Sequence, residues 1–203
     1  MQRQAGKWDG ALNEPKITAK LFTDDGTFPN NERLPLLIYV EAFALPTDDP
    51  ATFIERTFEA NGWGGMWRNG IYTYHHYHSN AHEALGCYAG TARVQLGGAD
   101  GVVIDFNAGD AILIPAGVAH KCLETSGSFR IIGAYPRGQH KYDVRRGIPE
   151  ERPHTDKSIL RVPLPQNDPV YGAAGPMHKE WRVPAPGLPA IREAESDDLR
   201  QAR

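Results

Sequence analysis

A chain of 203 residues, with 40% hydrophobic and 23% charged residues, is long enough for one domain with a real core and has the composition of an ordinary soluble globular protein. The formal net charge of −3, with basic residues scattered apart from the short run Arg145-Arg146, excludes the footprint that a nucleic-acid partner requires. Met1 to Lys16 lacks a signal-peptide apolar stretch, and the most apolar stretch, Leu34 to Leu45, carries Glu41 and is too short to span a bilayer, so the expectation is a cytoplasmic chain with no membrane partner.

In chain order, Met1 to Pro15 reads as a loose arm, Lys16 to Phe22 as a strand and Thr23 to Asn31 as a loop rich in Asp, Gly and Asn. Leu34 to Phe43 is the next strand. Asp49 then caps a helix with Pro50 at its first position. Phe53, Ile54 and Phe58 form its apolar side and Gly62 stops it. Trp63 and Trp67 flank a Gly-rich turn and read as packing residues. From Gly70 onward the pattern is strand and turn. Ala92, Val94 and Leu96 alternate with Arg93 and Gln95, so one face is buried and one is wet. Gly97-Gly98 and Asp100-Gly101 are hairpin signals. Val102 to Phe106, Ala111 to Ile114, Val118 to Leu123 and Phe129 to Tyr135 follow at short spacing, which predicts an all-β sandwich or barrel whose core runs over 34–135.

Ten of the sixteen prolines lie between Pro136 and Pro189, and proline breaks strand ladders. Residues 136–203 are therefore expected to be an extension that packs on the barrel or on a partner subunit, with Glu193 to Arg203 frayed. No internal repeat is visible, so residues 1–203 read as a single domain.

Four of the eight histidines fall between Gly70 and Gly90. Alternate residues of a strand share a face, so His76 and His78 point one way and Tyr77 the other. Ser79, Asn80 and Ala81 can reverse the chain, which would set Glu83 at the start of the returning strand, facing both histidines. Pro115-Ala116-Gly117 turns the chain again and places His120 on the next strand. Three imidazoles and a carboxylate that converge suit one divalent transition metal ion, with Fe, Mn, Ni and Zn all compatible. His76, His78, Glu83 and His120 are thus the candidate ligands. His75 has the opposite parity and should point outward. His82 reads as a partner of Glu83, a substrate contact or a surface residue, and an alternative register would use His78 with His82. Tyr72 and Tyr74 share the ligand face and line the pocket or serve as core aromatics. Cys87 and Cys122 read as reduced, buried side chains, although their parity with Glu83 and His120 also allows a place near the metal and sensitivity to oxidation. Arg130, Gln139, Tyr142 and Asp143 are pocket or interface residues that spacing does not decide, and His140, His154 and His178 are surface or loop residues.

These residues resemble the two motifs of the cupin superfamily. Gly70, His76, His78, Glu83 and Gly90 meet the first without a gap, and Gly109, Pro115, Gly117 and His120 meet the second, which departs from the pattern at Glu124 in place of Asn. That last position is not a ligand in the family. The stretches His-Tyr-His-Ser-Asn-Ala-His-Glu, Gly-Ala-Tyr-Pro-Arg-Gly-Gln and Val-Pro-Leu-Pro-Gln-Asn-Asp-Pro-Val-Tyr-Gly resemble the YjlB-like group of bacterial cupins. The resemblance implies a jelly-roll barrel, that is a double-stranded β-helix, and a metal site. It implies no single reaction, because the superfamily includes dioxygenases, isomerases, epimerases, decarboxylases and binding proteins. The expected function is a metal-dependent enzyme of oxygenase or isomerase type acting on a small oxygenated molecule. The alternative is a non-catalytic cupin that binds or senses a small ligand. A homodimer is the expected assembly.

Overall fold

Alternating burial along the strands builds the molecule in layers. The computed structural model describes residues 10–182. Within them the strands are β1 (Ala11–Leu12), β2 (Lys16–Phe22), β3 (Asn31–Val40), β4 (Phe43–Ala44), β5 (Trp63–Asn69), β6 (Glu83–Ala89), β7 (Thr91–Leu96), β8 (Val102–Asn107), β9 (Ala111–Ile114), β10 (His120–Thr125) and β11 (Arg130–Pro136). The helices are α1 (Pro50–Ala60), α2 (His154–Ile159) and α3 (Met177–Glu180), with one 3₁₀ turn at Pro149–Glu151. One sheet runs β2-β3-β9-β6-β11-β5 and a second runs β10-β7-β8, all pairs antiparallel, and β1 pairs β4 as a small ribbon. This is the all-β jelly-roll architecture that the strand pattern predicts. No helix among the described residues is long and apolar enough to cross a membrane.

The six-stranded sheet is covered on both faces. Inward, Leu36, Ile38, Leu85, Ile112 and Ile131 pack against Val94, Leu96 and Phe106 of the smaller sheet. Outward, Leu37, Tyr39, Leu113 and Ile132 pack against Ile54 and Phe58 of α1. Strands buried on both faces read as near-continuous apolar runs, which is why Ala111-Ile112-Leu113-Ile114 shows no alternation. Asp49 caps α1 by accepting a hydrogen bond from the Thr52 N–H, and Ala51, Ile54 and Phe58 are its buried side. Gly86 lets the helix sit close, since a Cβ there would lie 2.7 Å from Ile54 Cγ2. Each fully buried Ile or Phe on this face contributes about 1.5–3 kcal/mol.

Residues after β11 pack on the same outer face. Trp181 Nε1 donates to the Pro35 carbonyl (2.8 Å), Trp63 Nε1 to that of Asn167 (3.0 Å), and the Asn61 side-chain amide to those of Pro169 and Val170. The expectation for Glu193 to Arg203 lies outside the described residues.

Besides the expected loose arm, within which Ala11–Leu12 pairs with β4 as β1, three expectations need correction. Trp63 to Asn69 is not a turn but the edge strand β5, paired with β11 across an irregular register at Gly133/Tyr135. Its glycines weaken the local strand signal, and pairing with β11 overrides it. β3 begins at Asn31, inside the expected loop, and ends before Glu41, whose φ of 50° breaks it from β4. The third correction bears on the site. Residues 71–82 form no regular hairpin strand and pair only through isolated bridges, His76 with His120 and Tyr77 with Arg145.

Candidate metal centre

Backbone contacts at the rim of the barrel bring the site together. Glu83 opens β6, and period-two alternation gives it the same inward face as Leu85 and Cys87. His120 opens β10. Its N–H donates to the His76 carbonyl (2.9 Å) and its carbonyl accepts from the His76 N–H (3.1 Å), so two imidazoles from distant segments are stapled side by side. The His78 carbonyl accepts from the Gly117 N–H (2.8 Å). Gly117 has φ of 94°, and a Cβ there would lie 2.3 Å from the Asn30 carbonyl oxygen, so the Pro-x-Gly turn that presents His120 tolerates only glycine.

The three imidazoles are buried, and one ring nitrogen from each lies within 4.8 Å of the others. Glu83 Oε2 lies 3.4 Å from His78 Nε2 and 3.3 Å from His120 Nε2. All three Nδ1 atoms face backbone carbonyls, that of Tyr74 for His76 (3.3 Å), that of Val118 for His120 (3.2 Å) and that of Asp143 for His78. A carbonyl can only accept, so each Nδ1 carries a proton, and in the neutral ring each Nε2 presents a lone pair to the common point. Glu83 Oε2 is then buried without a hydrogen-bond partner. A buried carboxylate oxygen facing imidazole lone pairs is costly unless a cation lies between them. The donor set fits a divalent transition metal, and the buried group of His76, His78 and His120 could hold one.

Burial opposes protonation of His78, but the Glu83 charge outweighs it and raises this imidazole above its usual value, so the carboxylate draws positive charge to the cluster. Burial, with His120 beside it, pushes His76 down to about 2. Burial opposes ionisation of Glu83, but positive charge on His78 and His120, in their protonated form, outweighs it and holds the carboxyl well below the usual carboxylate range. Tyr135 donates its hydroxyl to Glu83 Oε1 (2.6 Å), and Trp67 Nε1 donates to the Tyr135 oxygen (3.2 Å). Burial and then the Glu83 charge push the Tyr135 phenol well above its usual value, so it stays a donor. One oxygen of Glu83 is thereby pinned and the other left for the imidazoles.

The structure places the candidates as follows. His76, His78, Glu83 and His120 converge. His82, with the parity opposite to Glu83, is buried on the other side: its Nδ1 accepts from the Ala116 N–H (3.0 Å) and its ring lies 4.8 Å from that of Trp181. Burial pushes it down to about 3. The register pairing His78 with His82 is therefore wrong. His75 turns away from the cluster as parity requires, but packs on Phe28 (5.2 Å between rings) rather than standing in solvent. Tyr72 lines the cavity and Tyr74 stacks behind it (4.8 Å, 12°). Cys87 and Cys122 belong to the apolar interior and do not line the cavity. Burial pushes the Cys87 thiol up to about 12 and Cys122 upward as well, which argues against ready oxidation. His140, His154 and His178 are exposed.

Of the undecided residues, Arg130 is exposed, with a guanidinium nitrogen donating to the Phe129 carbonyl (2.6 Å). Gln139 ties the His82 N–H to the Pro163 carbonyl. Tyr142 stacks on Tyr135 (4.1 Å, 18°). Asp143 holds the ligand-bearing segment: its carboxylate accepts from Ser79 N (2.7 Å), Ser79 Oγ (2.6 Å) and Arg145 Nε (2.6 Å), while its carbonyl takes His78 Nδ1. Trp67 reads in the sequence as a packing residue, Asp143 as an undecided pocket or interface residue and Tyr135 as a strand residue with no further role, because their contacts to the cluster span long sequence separations. Loss of such outer partners costs about 10–100-fold in metal affinity. Asp143→Ala keeps the carbonyl and frees Ser79, so the expected loss is near the lower end, about tenfold by metal titration. Unchanged affinity would show that the carboxylate does not position His78.

No protein-family model matches the chain. Uncharacterized protein YjlB of Bacillus subtilis is 41% identical over 168 residues, which is 83% of this chain and 98% of that protein. The solved procruciferin, an 11S globulin from Brassica napus, is 18% identical, with a TM-score of 0.32 over 64% of this chain, and the chain spans only 27% of its length. A protein with a double-stranded β-helix domain from Klebsiella pneumoniae is 15% identical, with a TM-score of 0.31 over 71% of this chain and 89% of that one. Both histidine-bearing motifs stand at the mouth of a jelly-roll barrel, a full-length relative is 41% identical, and the chain belongs to the cupin superfamily, in its YjlB-like group.

Proposed function

We propose that His76, His78 and His120, through Nε2, and Glu83, through Oε2, hold one divalent transition metal ion (Fe, Mn, Ni or Zn), and that the chain is a metal-dependent enzyme of oxygenase or isomerase type acting on a small oxygenated molecule. One observation carries the metal reading: every Nδ1 of the three histidines is spent on a backbone carbonyl, so three lone pairs and an unpartnered carboxylate oxygen meet in a buried space. When bound, such an ion supplies Lewis acidity toward an oxygen ligand or a redox centre.

The residues around it support chemistry on a bound molecule. A cavity of about 230 Å³ opens beside the ligands, lined by Trp67, Ile71, Tyr72, Leu85, Tyr135 and Tyr142 among others. Apolar walls exclude water and strengthen every charge interaction inside. Tyr135 keeps its proton and donates a hydrogen bond to Glu83, which holds the carboxylate in one orientation. A homodimer belongs to the same proposal, supported by the open edge of the larger sheet at β2, where Leu21 is exposed. Light scattering at the mass of one chain would refute the dimer.

The test is elemental analysis of purified protein, with turnover measured by oxygen uptake and substrate loss across diketones, catechols and sugar acids. About one transition metal per chain and turnover with one substrate class are expected. Metal without turnover, with tight binding of one ligand, would favour the non-catalytic alternative. Protons compete with the ion for the same lone pairs; burial holds His76 down at about 2, but the Glu83 charge raises His78 above the usual imidazole value of about 6.5, so His78 is the ligand open to them near neutrality. Occupancy is therefore expected to be complete above neutrality and to fall as pH drops through about 6 in the presence of a chelator. Full retention at about pH 4 would contradict a histidine-dominated site.

A further inference from the structure

Resting on the metal reading above, we infer that the cavity takes a planar, singly charged molecule of one ring whose two adjacent oxygens chelate the ion, such as a catecholate or a cyclic enolone. Size, shape and charge each lead there. At about 230 Å³ the cavity is smaller than the range of about 300–1,000 Å³ typical of drug-sized ligands, which leaves room for a single ring.

Its mouth is aromatic on two sides. Tyr72 stands edge-on to His76 (5.0 Å, 80°), backed by Tyr74. Tyr142 stands edge-on to His78 (5.0 Å, 75°), backed by Tyr135. Tyr72 and Tyr142 are 52% and 38% exposed, so their rings are reachable from solvent beside the ligand histidines. Flat rings offer stacking and edge contacts to a flat ligand and little to a puckered polyol.

The charges narrow the class further. Arg68 is the one Lys or Arg among the lining residues, and its guanidinium is committed to both oxygens of Glu55 at 2.7 Å. Among the described residues no other Lys or Arg lines the cavity to receive a second carboxylate or a phosphate. A divalent ion with neutral imidazoles and the Glu83 carboxylate carries a single net positive charge, which one anionic oxygen neutralises. A dianion would leave an uncompensated negative charge in a buried site.

The probe is 4-nitrocatechol, whose visible absorption reports its deprotonation on a metal. It is titrated into zinc-loaded protein, because zinc cannot oxidise it, and the same sample is assayed for zinc. The expected results are a zinc-dependent spectral change, displacement by tropolone, and at least tenfold weaker displacement by oxalate and by gluconate. Tyr142→Ala and Tyr72→Ala are expected to weaken 4-nitrocatechol binding by about two- to tenfold each, with Tyr142→Phe restoring it. Both side chains are partly exposed, and zinc content near one per chain in each variant confirms that the site is intact. Oxalate or gluconate competing as well as tropolone, or alanine variants binding as tightly as the parent, would overturn the inference. Zinc at one per chain with no spectral change overturns it alone. Failure to bind zinc overturns the metal reading and this inference with it.

Discussion

Replacing His78 with Ala is expected to leave a folded protein that no longer retains its metal at neutral pH. His78 supplies one of three converging Nε2 atoms and lies 3.4 Å from Glu83 Oε2. Losing a mere outer partner of a ligand costs about 10–100-fold in affinity, so losing the donor atom itself should cost more. Elemental analysis after dialysis should drop from about one metal per chain to near background, with the circular dichroism spectrum unchanged. Unchanged stoichiometry would refute the role of His78. The contrast with His82→Ala is informative. That ring is equally buried but bonds the Ala116 N–H on the far side of the sheet, so its loss should affect stability and leave metal content intact.

Asp168→Ala is expected to have the converse effect, a large loss of stability with little change in metal content. The Asp168 side chain is fully buried and accepts from Tyr39 OH (2.8 Å), Val170 N (2.8 Å), Tyr171 N (2.9 Å) and Met177 N (3.1 Å). It thus joins the chain after β11 to the outer face of β3. Alanine would leave four donors, three of them buried, without an acceptor. Hydrogen bonds to charged groups contribute about 1.5–3 kcal/mol each, and part of the loss relaxes, so the net cost should be about 3–5 kcal/mol. For a chain of this length that corresponds to a fall in Tm of about 6–20 °C. A fall of less than about 2 °C in a thermal melt would show that the residues after β11 do not depend on this knot. Asp168 acts on the outer face of the six-stranded sheet, away from the cluster of His76, His78, Glu83 and His120, so metal content should separate this variant cleanly from His78→Ala.

Spacing alone brought the candidate metal-binding groups together on paper, and the structure brings the same four side chains together in space. The exact bounds of Lys16–Phe22 were also legible, as were those of Ala111–Ile114 and the alternation over Thr91–Leu96, the last two because local side-chain pattern and burial coincide there. Parity correctly turned His75 away from the cluster and kept Glu83 on the inner face. The glycine of the Pro-x-Gly turn was readable for a local reason, the positive φ that Gly117 adopts.

Other features depended on partners far along the chain. His76 and His78 converge without a regular strand beneath them, because bridges to His120 and Arg145 replace the expected hairpin. Trp67 reads locally as a packing residue, yet β11 pairs with its strand and sets it on Tyr135. Tyr135 reaches Glu83 across 52 residues, and the Asp143 carbonyl meets His78 across 65. The amino-acid sequence by itself determined which side chains could bind a metal and, for Glu83, which face of its strand it occupies, since those follow from residue chemistry and a two-residue period. Only the tertiary structure decided the imidazole tautomers, the pinned carboxylate and the aromatic mouth, because each is set by a contact whose two halves lie too far apart in the chain for any local pattern to register.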